Sequence, residues 1–285
     1  MSTKPIIANN ATDNSDPTAE PAVRHDVHIV LGSKGGIGKS WVASALIQWA
    51  RGDGRGGPRS KYVPAVDVLG FDTDPLNPTL SAFKHLGVRY VSALDSKTDQ
   101  INAAGLDDLI ERACNHTAGP VVVDVGSAGF VAMANYLLSG DIAAVMHDTG
   151  KRLVLHAVVT GGQAREDTLN GMRALAEQFP ASIPLVVWVN EWDQPFAYKQ
   201  GDVLIDFETC PDYLAQKDRI HGVMRLLRPS QLHRAAIDEM LRVHATFVEI
   251  TGQTTSHLAT MMSRQRVRQV QLALFAQIDR VMADV

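Results

Sequence analysis

Only two cysteines occur in the 285-residue chain, Cys114 and Cys210, with no C-x-x-C pair and no histidine-rich cluster. That argues against a disulfide scaffold and against a structural zinc site. A charge excess of one sign is also missing. The formal net charge is −4, so any nucleic-acid contact has to come from a local patch. No uninterrupted apolar stretch reaches the ~18–20 residues of a membrane-spanning helix. The first residues, Met1 to about Arg24, are rich in Asn, Thr, Asp, Ala and Pro and lack the charged start and apolar core of a signal peptide. They read as a disordered leader over 1–25 and point to a cytoplasmic protein. There is no internal repeat. A hydrophobic content of 45% is that of an ordinary globular chain with a substantial core.

Apolar, β-rich runs alternate with helical patterns. Strands are expected at Val27–Leu31, Ala65–Phe71, Val88–Ser92, Val121–Val125, Leu153–Val159, Leu185–Val189 and Ile220–Leu226. Helices are expected near Lys39–Arg51, Thr79–His85, Leu106–Asn115, Gly129–Leu138, Gln163–Phe179 and Phe207–Lys217. Nearly continuous apolar strands imply a sheet buried on both faces. Their alternation with helices implies a parallel, doubly wound α/β sheet whose ligands sit at the carboxyl ends of the strands. Two long connections stand out. Gly52–Arg59 is glycine-rich and basic. Glu191–Asp206 carries Trp192, Pro195, Phe196 and Tyr198, and reads either as a lid or partner surface or as a loop packed by its own side chains.

Gly32-Ser33-Lys34-Gly35-Gly36-Ile37-Gly38-Lys39-Ser40 lies between the first strand and the first helix. Strand, glycine loop and helix in that order form a phosphate-binding loop. Its backbone N–H groups wrap phosphate oxygens, Lys39 reaches the β- and γ-phosphates, and Ser40 ligates Mg²⁺. Ser33 stands where the first glycine of G-x-x-x-x-G-K-[ST] is expected, and Lys34 is a second lysine within the loop. The second strand ends in Phe71-Asp72-Thr73-Asp74-Pro75, with one carboxylate placed to approach a metal shell and the other an attacking water. An Asp-Pro turn with capping carboxylates is the other reading of these residues. Val121-Val122-Val123-Asp124 ends a third strand in an acid suited to the Mg²⁺ side, or to a helix cap.

The K-G-G-x-G-K-[ST] loop resembles the deviant Walker A loop of the ParA/MinD ATPases. That resemblance implies an ATP- and Mg²⁺-dependent ATPase that is a homodimer when ATP is bound. Lys34 would cross to the partner's phosphates, so Lys34, Lys39 and Asp74 form the implied catalytic set. Gly35, Gly36, Ile37, Gly38, Lys39, Ser40 and Trp41 would surround the nucleotide. Ser40, Asp72 and Asp124 would lie on the metal side, with Asp74 orienting water. Asn190, at the end of Val186-Val187-Trp188-Val189-Asn190, and Pro229 would contact the base. Asn190 also reads as a simple turn residue. Val125-Gly126 departs from the family, which usually carries proline just after this Asp. Val158-Val159-Thr160-Gly161-Gly162-Gln163, Asp167-Thr168-Leu169-Asn170-Gly171 and the strand ending in Asn190 are similar to the TraL branch. The similarity runs over roughly 26–250 and implies a ParA-like ATPase domain acting in plasmid conjugal transfer, with partners among conjugation or plasmid-maintenance proteins. A weakly hydrolysing scaffold and a partition-type DNA-binding protein are the alternatives. A redox protein sharing the loop is disfavoured because no cysteine closely follows Asp124.

Lys217, Arg219, Arg225 and Arg228, and again Arg264, Arg266 and Arg268, are locally basic. They read as a surface for nonspecific DNA or as solvated faces. His156, within an apolar strand, reads as a hydrogen-bonded core histidine, with a metal or acid–base role as the other reading. In the extension over 251–285, Val267, Val270, Leu274, Ile278, Val281 and Val285 line one helical face. That face packs on its own domain, on a partner, or on a membrane as in MinD relatives. Asp279 and Asp284 near its end argue against an anionic membrane surface.

Overall fold

The computed structural model describes residues 25–53, 67–95, 97–98, 100–252, 260–283 and 285. The expected leader through residue 24 and most of the Gly52–Arg59 connection lie outside the described residues. Seven parallel strands form the main sheet: β1 (Asp26–Leu31), β2 (Leu69–Asp72), β3 (Arg89–Tyr90), β4 (Val121–Asp124), β5 (Arg152–Thr160), β6 (Leu185–Asn190) and β9 (Gly222–Leu226). Their spatial order is β3-β2-β4-β1-β5-β6-β9. β7 (Ala197–Gln200) and β8 (Val203–Asp206) form a separate antiparallel hairpin.

The two-residue period of each strand divides its side chains between two cores. Val27, Ile29 and Leu31 of β1, with Leu153, Leu155 and Ala157 of β5, face α2 (Ala103–Asn115), α3 (Phe130–Ser139), α4 (Ile142–Asp148) and α5 (Arg165–Gln178). Val30, Val154, Val158, Val186 and Trp188 face α1 (Lys39–Ala50), α7 (Gln231–Arg242), α8 (Phe247–Thr251) and α9 (Met261–Met282). Gly70 lets α1 approach closely, since a Cβ there would lie 3.0 Å from Ile47 Cδ1 and 2.9 Å from Val88 Cγ2. Asp72, Asp124 and Asn190 end their strands on the α1 side, by the same alternation.

Several expectations are corrected. Thr79–His85 is not one helix but two 3₁₀ turns, Leu80–Ala82 and Lys84–Leu86, separated by Phe83. The helix expected from Phe207 starts only at Pro211: α6 is Pro211–Gln216, with proline at its start and the Cys210 sulfur accepting from Tyr213 N. Phe207 instead enters the core, edge-on to Phe196. The Glu191–Asp206 connection is not a simple loop, because it contains the β7–β8 hairpin. Arg225 pins this region by binding both Glu191 and Glu208.

The extension folds back on the body. Val267, Leu274, Phe275, Ile278 and Val281 of α9 are buried in the α1-side core. Trp49 Nε1 donates to Asp279 Oδ1 at 2.7 Å. Among the described residues, no single helix is long and apolar enough to cross a membrane.

Candidate functional site: a glycine-loop cradle at the strand ends

The glycine loop turns between β1 and α1 through Gly36 (φ 74°) and Gly38 (φ 91°), both left-handed and therefore suited to glycine. Gly38 is the residue that opens α1, so the loop's N–H groups and the helix's positive end face the same space. That space is a cavity of about 500 Å³ lined by the loop, Asp74, Asp124 and Ser127. Lys39 is buried and its ammonium donates to Lys34 O at 2.7 Å. Burial lowers the Lys39 pKa, while Asp124 and Asp74 oppose the shift.

Asp124 carries the sharpest chemical signal. Burial drives its pKa up to about 7, against the lowering effect of the Ser40 hydroxyl and the Lys39 charge. Among the described residues its Oδ1 has no hydrogen-bond partner. A buried, unpartnered carboxylate oxygen beside a serine hydroxyl fits the hard-oxygen donor set of Mg²⁺. Ser40 and Asp124 are the residues that would hold the ion.

Asp72 stands beside Asp124 in register but does not face the cavity. Its two oxygens accept from Asp74 N at 3.1 Å and Ser81 N at 2.9 Å. In this structure it organises the segment that carries Asp74. Its own pKa is raised by burial, opposed by these backbone bonds. Asp74 lines the cavity, with Oδ1 accepting from Leu76 N and Asn77 N at 2.9 and 3.0 Å. The capping reading of this stretch is therefore realised in part. Asp74 lies directly over Gly126, where an added Cβ would sit 2.4 Å from Asp74 Cγ. This close approach accounts for glycine two residues after Asp124.

Lys34 and Ser33 are both held by α5. Lys34 Nζ lies 2.9 Å from Asp167 Oδ2, and Ser33 Oγ donates to Asp167 O at 2.5 Å. Sequence reasoning did not find Asp167 as a partner of this loop. Nothing in the chain links positions 134 residues apart. The expected base residues are distributed differently. Asn190 Nδ2 donates to Ile37 O at 2.8 Å and its Oδ1 accepts from Trp192 N at 3.0 Å. One amide N–H and the amide oxygen are thus engaged with backbone, and Asn190 tethers the glycine loop to β6. Pro229 lies outside the cradle, in a second cavity of about 380 Å³ that shares Trp41 with it.

In the basic stretch Lys217 and Arg228 are exposed, while the other two arginines are engaged within the fold. Arg219 donates to Pro180 O and Ile183 O, and Arg225 is committed to its two glutamates. His156 is a core residue on the α1 side, accepting from Trp188 Nε1 and bonded to His28, each at 3.0 Å. No group of three or more His, Cys, Asp or Glu among the described residues is arranged to hold a metal by itself.

A glycine loop between β1 and α1, with acids at the ends of the adjoining parallel strands, defines a P-loop NTPase fold with added C-terminal helices. No protein-family profile matches the chain. Two proteins named Protein TraL, both from Escherichia coli, are 35% and 34% identical to it over 254 residues, spanning 89% of this chain and 97% of each relative. The chain belongs to the TraL family. Solved structures similar to it include the MinD cell division protein of Aquifex aeolicus, at 13% identity and TM-score 0.44, covering 88% of this chain and 97% of that one. A plasmid partition protein from Borrelia burgdorferi is 15% identical with TM-score 0.37, covering 77% and 98%.

Proposed function

We propose that the chain is an ATP-binding and hydrolysing ATPase of ParA/MinD type, working as a nucleotide-dependent dimerisation switch in plasmid conjugal transfer. The observation that carries this reading is the convergence of the glycine loop, Lys39, Ser40, Asp74 and Asp124 on one cavity. Loop N–H groups and Lys39 take the phosphate charge. Ser40 and Asp124 would hold Mg²⁺, which would supply neutralisation of the charge developing on the phosphates. The Asp74 carboxylate orients water. Lys34 leaves Asp167 to reach a second copy's nucleotide. The conjugal role rests on membership of the TraL family.

Sedimentation of the wild type beside Lys34→Ala, with and without ATP, tests the switch. The wild type is expected to dimerise with ATP and the variant to remain monomeric. A wild type that stays monomeric with ATP removes the switch from the proposal.

One observation favours the alternative of a scaffold that binds nucleotide and hydrolyses little. Asp74 Oδ1 is already occupied by two backbone N–H groups. Phosphate release that is slow and unchanged by Asp74→Asn, with ATP affinity intact, would select that reading.

A further inference from the structure

We infer that the solvent side of helix α9 is a docking stripe for the chain's own first 24 residues, an acidic segment that lies outside the described residues. The contact is independent of the nucleotide site.

One face of α9 holds the helix on the body through Val267, Leu274, Ile278 and Val281. Away from that face Met261, Arg264, Arg268 and Leu272 follow one another at spacings of three, four and four residues, which sets them along one stripe. Met261 is 77% exposed and Leu272 51%. An apolar side chain therefore stands at each end of a basic pair. Among the described residues neither arginine takes part in an ion pair. The acids of α7, the helix packed beside α9, are already engaged, Asp238 by Arg234 and Glu239 by Arg242. Two such cations between exposed apolar side chains suit an extended acidic segment with apolar residues at its ends.

The leader has that composition in that order. Between Lys4 and Arg24 it carries Asp13, Asp16 and Glu20 and no base, with Ile6-Ile7 on one side of the acids and Ala22-Val23 on the other. Its point of attachment also fits. Arg152 pairs with Asp26 and donates to Val285 O, so the chain enters β1 beside the C-terminal end of α9. From that end Leu272, Arg268, Arg264 and Met261 lie about 15, 21, 27 and 32 Å along the helix. From His25 an extended chain reaches Asp16 within about 30 Å and Asp13 within about 40 Å. The two carboxylates thus span the two guanidiniums with slack, Ala22-Val23 falls toward Leu272, and Ile6-Ile7 reaches Met261. Tethering gives the leader a local concentration on the order of millimolar, so weak individual contacts suffice. While docked, it screens these arginines from other anions.

The test uses the full chain, with the Met261 methyl resonance and amide hydrogen exchange over 261–268 as reporters. Charge reversal in the leader, Asp13→Lys/Asp16→Lys, leaves every residue of the packed core unchanged. It is expected to shift the Met261 methyl and to quicken exchange by about fivefold, the factor that two exposed ion pairs supply. Raising salt in the wild type should act in the same direction. Adding Arg264→Glu/Arg268→Glu to the leader variant should restore both reporters, because the pairs form again with their signs exchanged. Reporters indifferent to the leader substitutions, or a charge exchange that fails to restore them, would overturn the docking. Reporters that follow protein concentration instead of the leader would give the stripe to a second copy and overturn it equally.

Discussion

Replacing Asp124 with Asn should stabilise the ligand-free protein while impairing its use of Mg²⁺ and ATP. Asp124 is fully buried and its pKa is raised from the ordinary carboxylate value of 3.8 to about 7. A carboxyl moved that far corresponds to about 4 kcal/mol of penalty on the charged form. The folded state holds a proton that the unfolded chain has already released, so this contribution to stability is present below 3.8 and is lost as pH rises to about 7. The shift is already net of the Lys39 attraction. Asn removes the penalty but leaves a buried amide with no partner for one of its polar atoms, a cost of about 2 kcal/mol, so the net gain at pH 8 should be about 2 kcal/mol. For a chain of this size that is about 4–8 °C in Tm. The gain should shrink at pH 5.5, where wild-type Asp124 is mostly protonated. Thermal unfolding at both pH values, followed by ATP binding with and without Mg²⁺, reads both halves. A variant no more stable than wild type at pH 8, or one that retains Mg²⁺-dependent ATP binding, would refute the reasoning.

Asp167→Asn releases Lys34 from a pair whose side chains are 52% and 51% exposed. Such a pair is worth at most about 1 kcal/mol, so the ATP-dependent dimer population by sedimentation should rise by up to about fivefold. Gly126→Ala places a methyl against the Asp74 carboxyl, and should cost about 1–3 kcal/mol by denaturant unfolding while abolishing phosphate release. Lost hydrolysis with unchanged stability would show that the two groups are not in contact. His28 and His156 are buried with pKa values lowered by burial, the His28 charge further opposing that of His156. Their stability contribution is present above 6.5 and is lost as pH falls below it. Against a His28→Asn/His156→Gln variant, in which the Asp124 contribution cancels, the wild type should lose about 2 kcal/mol more between pH 7.5 and 5.5.

The sheet was legible because most of its strands are nearly continuous apolar runs, and β2, β4, β5 and β6 end in a polar residue at the ligand edge. The glycine loop and Asp124 were legible because their meaning depends on the strand before them. Asp72 was harder to read. Two carboxylates two residues apart look equivalent in sequence, and only the turn at Leu80–Ala82 brings Ser81 N onto the first of them. The β7–β8 hairpin was hidden because Val203 and Leu204 are both exposed, so no alternation of buried and solvated positions marks it. The Lys34–Asp167 pair and the cavity separating Pro229 from the cradle are products of chain crossing. They have no local signature at all.

The attachment of α9 also bears on how the molecule is made. Trp49 and Asp279, joined by a hydrogen bond, lie 230 residues apart. Gln48 and Phe247 are bonded across 199 residues. At ribosomal rates of about 5–20 residues per second, α1 waits on the order of ten seconds or more for these partners. During synthesis the glycine loop and its helix exist well before the helix that covers one flank of α1. The apolar side of α1 is meanwhile a surface on which chaperones or premature self-association can act.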